Sequence, residues 1–279
     1  MIIVADSGST KTTWMDVDSG NKIVTGGLNP HFTTDEQFLA ACAVVRQHFQ
    51  LSTFNLQLYF YGAGCGNVSQ RQRVEKLLAA SLRPDTMAVE TDMLGACRAV
   101  SSARPSIVGI LGTGSNACYF DGQEIKCQPT STGYILGDNG SANHVGRILL
   151  NDYLTRRMPE SVRASFYDTY HLSDEQLIDA VYHQPAPNRF LASLAPFAVQ
   201  HQEAAYCDEV IRTALYDWYH GSLTTLCEQA GYPAGELNVV GGFAKAIEPL
   251  LRRFFADKAL HVGTVLADPI DGLRLYHRS

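Results

Sequence analysis

The sequence predicts a two-lobed α/β protein, and three observations carry that expectation. Its 279 residues exceed the usual single-domain size of roughly 100–150. Short apolar strands alternate with helix-period segments. A unit of strand, polar turn and strand occurs twice, about a hundred residues apart, at Met1–Val17 and again from Ser106.

Taken in order, Met1–Ala5 and Thr13–Val17 flank "DSGSTKT", and Lys22–Thr25 follows the turn-type cluster "DSGN", which predicts a β-meander. Phe38, Leu39, Cys42, Val45 and Phe49 recur at helical spacing. "LQLYFY", Leu56–Tyr61, reads as a strand running into the glycines of "GAGCG". A helix carrying Val74, Leu77, Leu78 and Leu82 then leads to a strand at Met87–Glu90. The second unit opens with the strand Ser106–Leu111, passes "GTGSN", and continues through "ACYFDGQEIKC", which turns at Asp121-Gly122. From Asn139 to Gln229 the chain reads as mostly helical, broken at "MPE" and "QPAPN". The stripe Val210, Ile211, Ala214, Leu215, Trp218, Leu223, Leu226 and Cys227 is a packing face. "ELNVVGGFAKAI" then gives a strand, a glycine pair and a helix start. These elements divide into expected lobes 1–104 and 105–279, hinged near Ala103–Pro105.

Composition narrows the partners. With 46% hydrophobic and 18% charged residues, a net charge of −6 and no basic run, the chain lacks the surface that neutralises a nucleic-acid backbone. Small solutes are the expected ligands. Seven scattered cysteines form no Cys-x-x-Cys pair, which argues against a disulfide framework or zinc knuckle, and no His-Glu-x-x-His pattern occurs. The apolar start is too short for a signal peptide, and no apolar run reaches about 18 residues. A soluble cytoplasmic protein, without membrane partners, is expected.

The polar loops suggest phosphate chemistry. No Gly-Lys pair exists, so there is no Walker loop, and "GAGCG" is spaced too tightly for a dinucleotide fingerprint. In "DSGSTKT", Gly8 allows a sharp turn, while Ser9, Thr10 and Thr12 add hydroxyls to exposed N–H groups that can cradle phosphate oxygens. Asp6 stands where it can hold a hydrated Mg²⁺, and Lys11 can meet phosphate as a point charge. A plain polar hairpin explains the same residues. "LGTGSNA" repeats the chemistry with Gly112, Thr113, Gly114, Ser115 and Asn116. In "VVGGFAK", Gly241 and Gly242 let a flat adenosine approach the backbone, or simply make a tight strand–helix turn.

This set, in this order, resembles the actin-like ATPase and sugar-kinase superfamily, and within it the BadF/BadG-type group that includes N-acetylglucosamine kinase. "DSGSTKT" looks like the first phosphate loop, "GTGSN" the second, "GDNGSA" the segment usually written G-D-E-G-S, and "VVGGFAK" the adenosine position. The resemblance implies two ribonuclease-H-like lobes with a nucleotide cleft between them, the second lobe bearing extra helices. It implies ATP and Mg²⁺ as cofactors, an amino sugar as substrate, the 6-hydroxyl as acceptor, and a homodimer. By the same similarity Asp92, in "ETDMLGA", matches the base that takes the sugar hydroxyl proton, a role compatible with capping a helix. Asn29, Asn116, Gly133 and Asp138 fall at sugar-binding positions. Two departures stand out: Asn139 replaces the usual Glu, and Thr132 stands where relatives carry Trp. Losing a carboxylate removes a like-charge penalty against an acidic sugar, so N-acetylmuramic acid joins N-acetylglucosamine as a candidate. An ATPase activating an iron–sulfur enzyme, and a non-catalytic nucleotide or sugar sensor, are the alternative readings.

Overall fold

Side-chain alternation sorts the first sheet into two faces. Along β1 (Ile2–Ser7), Ile3 and Ala5 turn to one side and Val4 to the other, so Ser7 follows the first set and Asp6 the second. β1 pairs antiparallel with β2 (Lys11–Asp16), which pairs antiparallel with β3 (Lys22–Gly26). The helix α1 (Asp35–His48) then crosses to β4 (Gln57–Gly62), parallel to β1, and α2 (Val68–Leu82) crosses to β5 (Thr86–Thr91), parallel to β4. α1 starts at a capping box, Thr34 with Gln37, and Asn67 caps α2, each satisfying N–H groups the helix cannot bond internally. Their apolar stripes, Phe38, Cys42 and Val45 on α1 and Val74, Leu78 and Leu82 on α2, bury against Ile3, Ala5, Trp14 and Phe60.

The chain is presented by a computed structural model that describes residues 1–51, 55–100, 104–232 and 234–278. It divides into one unit of Met1–Arg104 with Asp268–Ser279 and a second of Pro105–Ala267. Of the expected hinge, Ala103 lies outside the described residues. The expected lobe 105–279 needs correction at its end, because the last helix belongs to the first unit. That helix, α13 (Ile270–Arg278), lies with α3 (Asp92–Val100) on the second face of the first sheet. There Ile270 and Leu273 are buried among Val4, Met15, Val17 and Tyr61, and Arg274 Nε donates to the Val17 carbonyl at 2.8 Å.

The second unit repeats the plan. β6 (Ser106–Leu111), β7 (Ser115–Phe120) and β8 (Ile125–Cys127) form an antiparallel meander, and β9 (Gly235–Val240) and β10 (Leu260–Leu266) add in parallel. The order β8-β7-β6-β9-β10 matches β3-β2-β1-β4-β5 strand for strand, so the doubling expected from the sequence is present in topology. Between β8 and β9 lie α4 (Gly133–Leu136), α5 (Ala142–Leu154), α6 (Glu160–Tyr170), α7 (Asp174–Tyr182), α8 (Pro187–Gln200), α9 (Ala205–Trp218), a π-turn (Tyr219–Leu223) and α10 (Thr224–Ala230). α11 (Gly242–Ala246) and α12 (Glu248–Phe255) join β9 to β10. The "MPE" and "QPAPN" breaks hold, with Pro159 capping α6 and Pro187 opening α8.

All eight residues of the expected stripe are buried, yet the step from Trp218 to Leu223 is five residues, one more than an α-helical turn places in phase. The π-turn absorbs the extra residue and keeps both side chains inside. No helix among the described residues is long and apolar enough to cross a membrane.

If α13 completes the first unit's core, Leu273→Ala should destabilise that unit by about 2–5 kcal/mol, the usual range for a buried Leu truncation. Urea unfolding followed by Trp14 fluorescence reads this; a loss well below 1 kcal/mol would mean the helix contributes no core.

Candidate functional site

Parallel pairing brings the carboxyl ends of β1, β4 and β5 to one rim of the first sheet. Asp6 stands opposite Tyr61, which stands opposite Glu90; one step on, Ser7, Gly62 and Thr91 form the next row. Asp92 follows directly. In open α/β sheets this rim is where ligands bind.

Thr91, not Asp92, caps α3, since its Oγ1 accepts from the Leu94 N–H at 3.2 Å. Asp92 is the first helical residue, and its Oδ1 accepts from the Met93 N–H at 2.9 Å. The cap role read beside catalysis for Asp92 is therefore filled by its neighbour. Burial pushes the Asp92 carboxyl up to about 6, although the N–H bonds of Met93 and Asp92 itself pull the other way. The helix N-terminus would also favour the anion, so desolvation outweighs both. Asp6 is raised well above the carboxylate range, first by burial, then by the negative charges of Asp268 and Asp92, with Lys11 opposing. Both acids keep a partly exposed face, so a solute can reach them.

The "DSGSTKT" loop is a tight hairpin: the Gly8 N–H donates to the Lys11 carbonyl at 3.0 Å. Residues 26–30 pack beneath it. The Gly27 N–H donates to the Thr10 carbonyl at 3.1 Å, and a Cβ on Gly27 would lie 2.5 Å from the Ser9 backbone, a contact no side chain tolerates. Asn29 Nδ2 donates to Ser9 Oγ at 3.1 Å while its Oδ1 accepts from the His31 N–H at 3.0 Å. Asn29 is buried, and its side chain braces the loop. Thr12 needs correction as a nucleotide contact. It alternates to the face away from Asp6, is fully buried, and its hydroxyl bonds Ser7 Oγ and the Gly26 carbonyl, so it offers nothing to a ligand. Lys11 is bound by Asp268, 2.6 Å away. Asp268 escaped the sequence reading because no spacing rule links residues this far apart in the chain.

The second unit's loop rests on a helix N-terminus. The N–H groups of Ala142 and Asn143 donate to the carbonyls of Gly112 and Thr113 at 3.0 and 3.1 Å. Asp138, at a left-handed φ of 55°, accepts from the Ser115 N–H at 3.2 Å through Oδ1 and from Asn143 Nδ2 at 2.8 Å through Oδ2. Its carboxylate lies so close to Gly114 that a Cβ there would sit 2.8 Å from Oδ2. Ser115, Asn116 and Asp138 line one cavity of about 60 Å³ together with Thr132, Trp218 and Ser222. Gly133 stands outside that lining, exposed at the start of α4. Gly241, at φ 137°, has the strand-turn role: its N–H donates to the Leu266 carbonyl at 2.8 Å, and a Cβ would lie 2.2 Å from the Leu111 carbonyl oxygen. Gly242 and Gly112, by contrast, have open space where a Cβ would be.

Sequence reasoning missed the π-turn, whose phase slip in the buried stripe was its one signal and which brings Ser222 to the cavity. It also missed His144, buried, whose Nδ1 accepts from the Gly140 N–H at 3.1 Å and whose Nε2 lies 3.6 Å from Asp217 Oδ2. Burial holds this imidazole down at about 4, so at neutral pH it is an uncharged brace for the "GDNGS" turn.

A solved structure from Porphyromonas gingivalis, of a protein provisionally named an N-acetylglucosamine kinase, is 34% identical over 99% of this chain and 98% of that one, with a TM-score of 0.90. This chain belongs to the same family. Its fold is that of the actin-like ATPases and sugar kinases. A provisionally named N-acetylglucosamine kinase from Chromobacterium violaceum shares the fold at 18% identity, covering 99% of this chain and 98% of that one, TM-score 0.75. A ROK family glucokinase from Streptomyces griseus, solved with glucose and AMPPNP, shares it at 14%, covering 99% and 97%, TM-score 0.58. No family model and no curated protein matches the chain. The two repeated sheets are thus the two ribonuclease-H-like lobes of an actin-like ATPase fold.

In this fold the raised Asp92 carboxyl carries a stability signature. A folded-state value above the unfolded one means the native protein loses stability as pH rises from about 4 to about 6, where the carboxyl must ionise while desolvated. Asp92→Asn should therefore melt at a higher temperature than wild type above pH 6, the difference closing below about pH 4. An equal difference at every pH would show that the charge is not strained.

Proposed function

We propose that the protein transfers the γ-phosphoryl group of ATP to a hydroxyl of an amino sugar, with Asp92 as general base. The observation that carries this is Asp92 itself: a carboxyl at the carboxyl-end rim of a parallel sheet, relieved of capping by Thr91 and tuned by burial to about 6. A base with that value is mostly ionised at neutral pH yet still basic enough to accept a hydroxyl proton as attack proceeds. The sugar oxygen bonds to the γ-phosphorus, the bond from phosphorus to the β–γ bridging oxygen breaks, the hydroxyl proton passes to Asp92, and ADP leaves.

By the loop resemblance, Gly8, Ser9, Thr10 and Lys11, and likewise Gly112, Thr113, Gly114 and Ser115, are assigned to nucleotide phosphate. Gly242, with open space beside it, is assigned to adenosine, and Gly241 to the turn that presents it. Among the sugar positions, Asn116 and Asp138 line the cavity, Asn29 braces the first loop through its side chain, and Gly133 is exposed at the start of α4. A Mg²⁺ ion fits the donor set at Asp6. This carboxylate is crowded by Asp268 and Asp92 with Lys11 as the opposing charge, so a cation there relieves repulsion; kinase sites hold Mg²⁺ through one or two carboxylates plus phosphates and water. When bound, it neutralises charge on the transferring phosphates. The loop motifs support membership of the BadF/BadG-type group, and that resemblance supports the 6-hydroxyl as acceptor.

The sibling reading, activation of an iron–sulfur enzyme, has little support among the thiols. Six of the seven cysteines are buried, and burial pushes Cys42 and Cys65 up to about 12, away from the thiolate form that binds iron. Acidic amino sugars stay within the proposal because Asn139 carries no charge.

ADP release should depend on added amino sugar and follow an acid limb near pH 6, and Asp92→Asn should lower kcat by roughly 10²–10⁴-fold while retaining ATP binding. ADP release that ignores sugar in a panel with neutral hexoses makes the protein an ATPase, and a fully active Asp92→Asn removes the base. For the substrate, Asn139→Glu should shift the activity ratio from N-acetylmuramic acid toward N-acetylglucosamine. An unchanged ratio ends the charge argument.

A further inference from the structure

The repeat supplies the frame. In the first sheet Asp6, Tyr61 and Glu90 share a row, and two steps beyond Glu90 stands Asp92. In the second, Ile110, Val240 and Leu266 share the corresponding row, and two steps beyond Leu266 stands Asp268. Asp268 is thus the second repeat's counterpart of Asp92, yet it belongs to the first unit, where it meets Lys11.

Asp268 is the fixed member of that pair. Its Oδ1 accepts from the Ile270 N–H at 3.1 Å, which caps α13, and its Oδ2 accepts from Thr13 Oγ1 at 3.3 Å as well as from Lys11 Nζ at 2.6 Å. Lys11 is a long, rotamer-rich side chain, 55% exposed, against 23% for Asp268. An ion pair this exposed contributes little to stability, so its consequence is geometric: one fixed carboxylate selects one place for a mobile ammonium. That ammonium has three donors. The bond to Asp268 uses one and leaves others for an anion at the loop. Thr13 lies opposite Asp6 in the ladder, so the selected place is beside the acid rim.

We propose that Asp268 is a positioning residue for Lys11, holding its ammonium where nucleotide phosphate meets the first loop. This rests on the assignment of that loop to ATP. Freed from Asp268, Lys11 must be ordered at the moment of binding, and that ordering weakens nucleotide affinity without touching the base.

The test is a double-mutant cycle on ATP affinity, by calorimetry with Mg²⁺, using Asp268→Asn, Lys11→Met and the double variant. Asn keeps an oxygen for the α13 cap; Asp268→Ser, also a capping residue, serves if Asn lowers the melting temperature. Asp268→Asn should weaken ATP binding about three- to tenfold, raise the KM for ATP, and leave kcat within about twofold. In the Lys11→Met background it should have no further effect. A purely structural role would give additive losses in the two backgrounds and a falling kcat. Wild type that binds ATP, with Asp268→Asn equal to it or additive with Lys11→Met, overturns this inference alone. Wild type that binds no ATP overturns the nucleotide assignment and this inference together.

Discussion

Asp6, Asp92 and Asp268 crowd one rim of the first sheet, and Lys11 is the cation that opposes them at Asp6. Asp6 and Asp92 are there because parallel strands end in register; Asp268 is there because the chain returns after the second unit to cap a helix on the same face. Asp6 and Asp92 lie where protein displaces water without sealing it off, so their negative charge is costly and remains available. Desolvation sets the scale: at Asp92 it prevails over two N–H bonds and a helix terminus that all favour the anion. An apolar rim would be more stable and inert, a common trade at functional sites.

Much of this was legible from residue order. Strand-period and helix-period segments located both meanders and their crossovers, since a half-buried strand must alternate and a packed helix must present a stripe. Glycine-rich strand ends located both loops. What stayed hidden has definite causes. Helix α13 declares an apolar face through Ile270 and Leu273, but a face does not name its partner, so residue order alone assigns it to the wrong lobe. Thr12 shares its polarity with Ser9 and Thr10, and only ladder parity, fixed by pairing with Ser7, turns it inward. Asn29 and Asp138 read as ligand groups, and their bracing bonds to Ser9, His31, Ser115 and Asn143 stayed hidden because they depend on turn geometry that composition does not specify.

The two loops reach rigidity by different means. The first is a hairpin supported from below by Gly27 and Asn29, with charge supplied by Lys11. The second lacks a lysine and borrows the N–H groups of a helix start, with Asp138 bridging loop and helix. In the first, the ion pair that orients Lys11 responds to salt; the second is anchored by backbone and responds mainly to distortion of α5.

The return of α13 to the first unit also bears on biosynthesis. A ribosome delivers β1 to α3 long before Ile270 and Leu273 emerge, and all of Pro105–Ala267 is made in between. Until then the sheet face carrying Val4, Met15 and Val17 lacks the helix that covers it, so the first unit waits on residues made after the second. Loss of Asp268–Ser279 would uncover that face and harm the unit formed by Met1–Arg104.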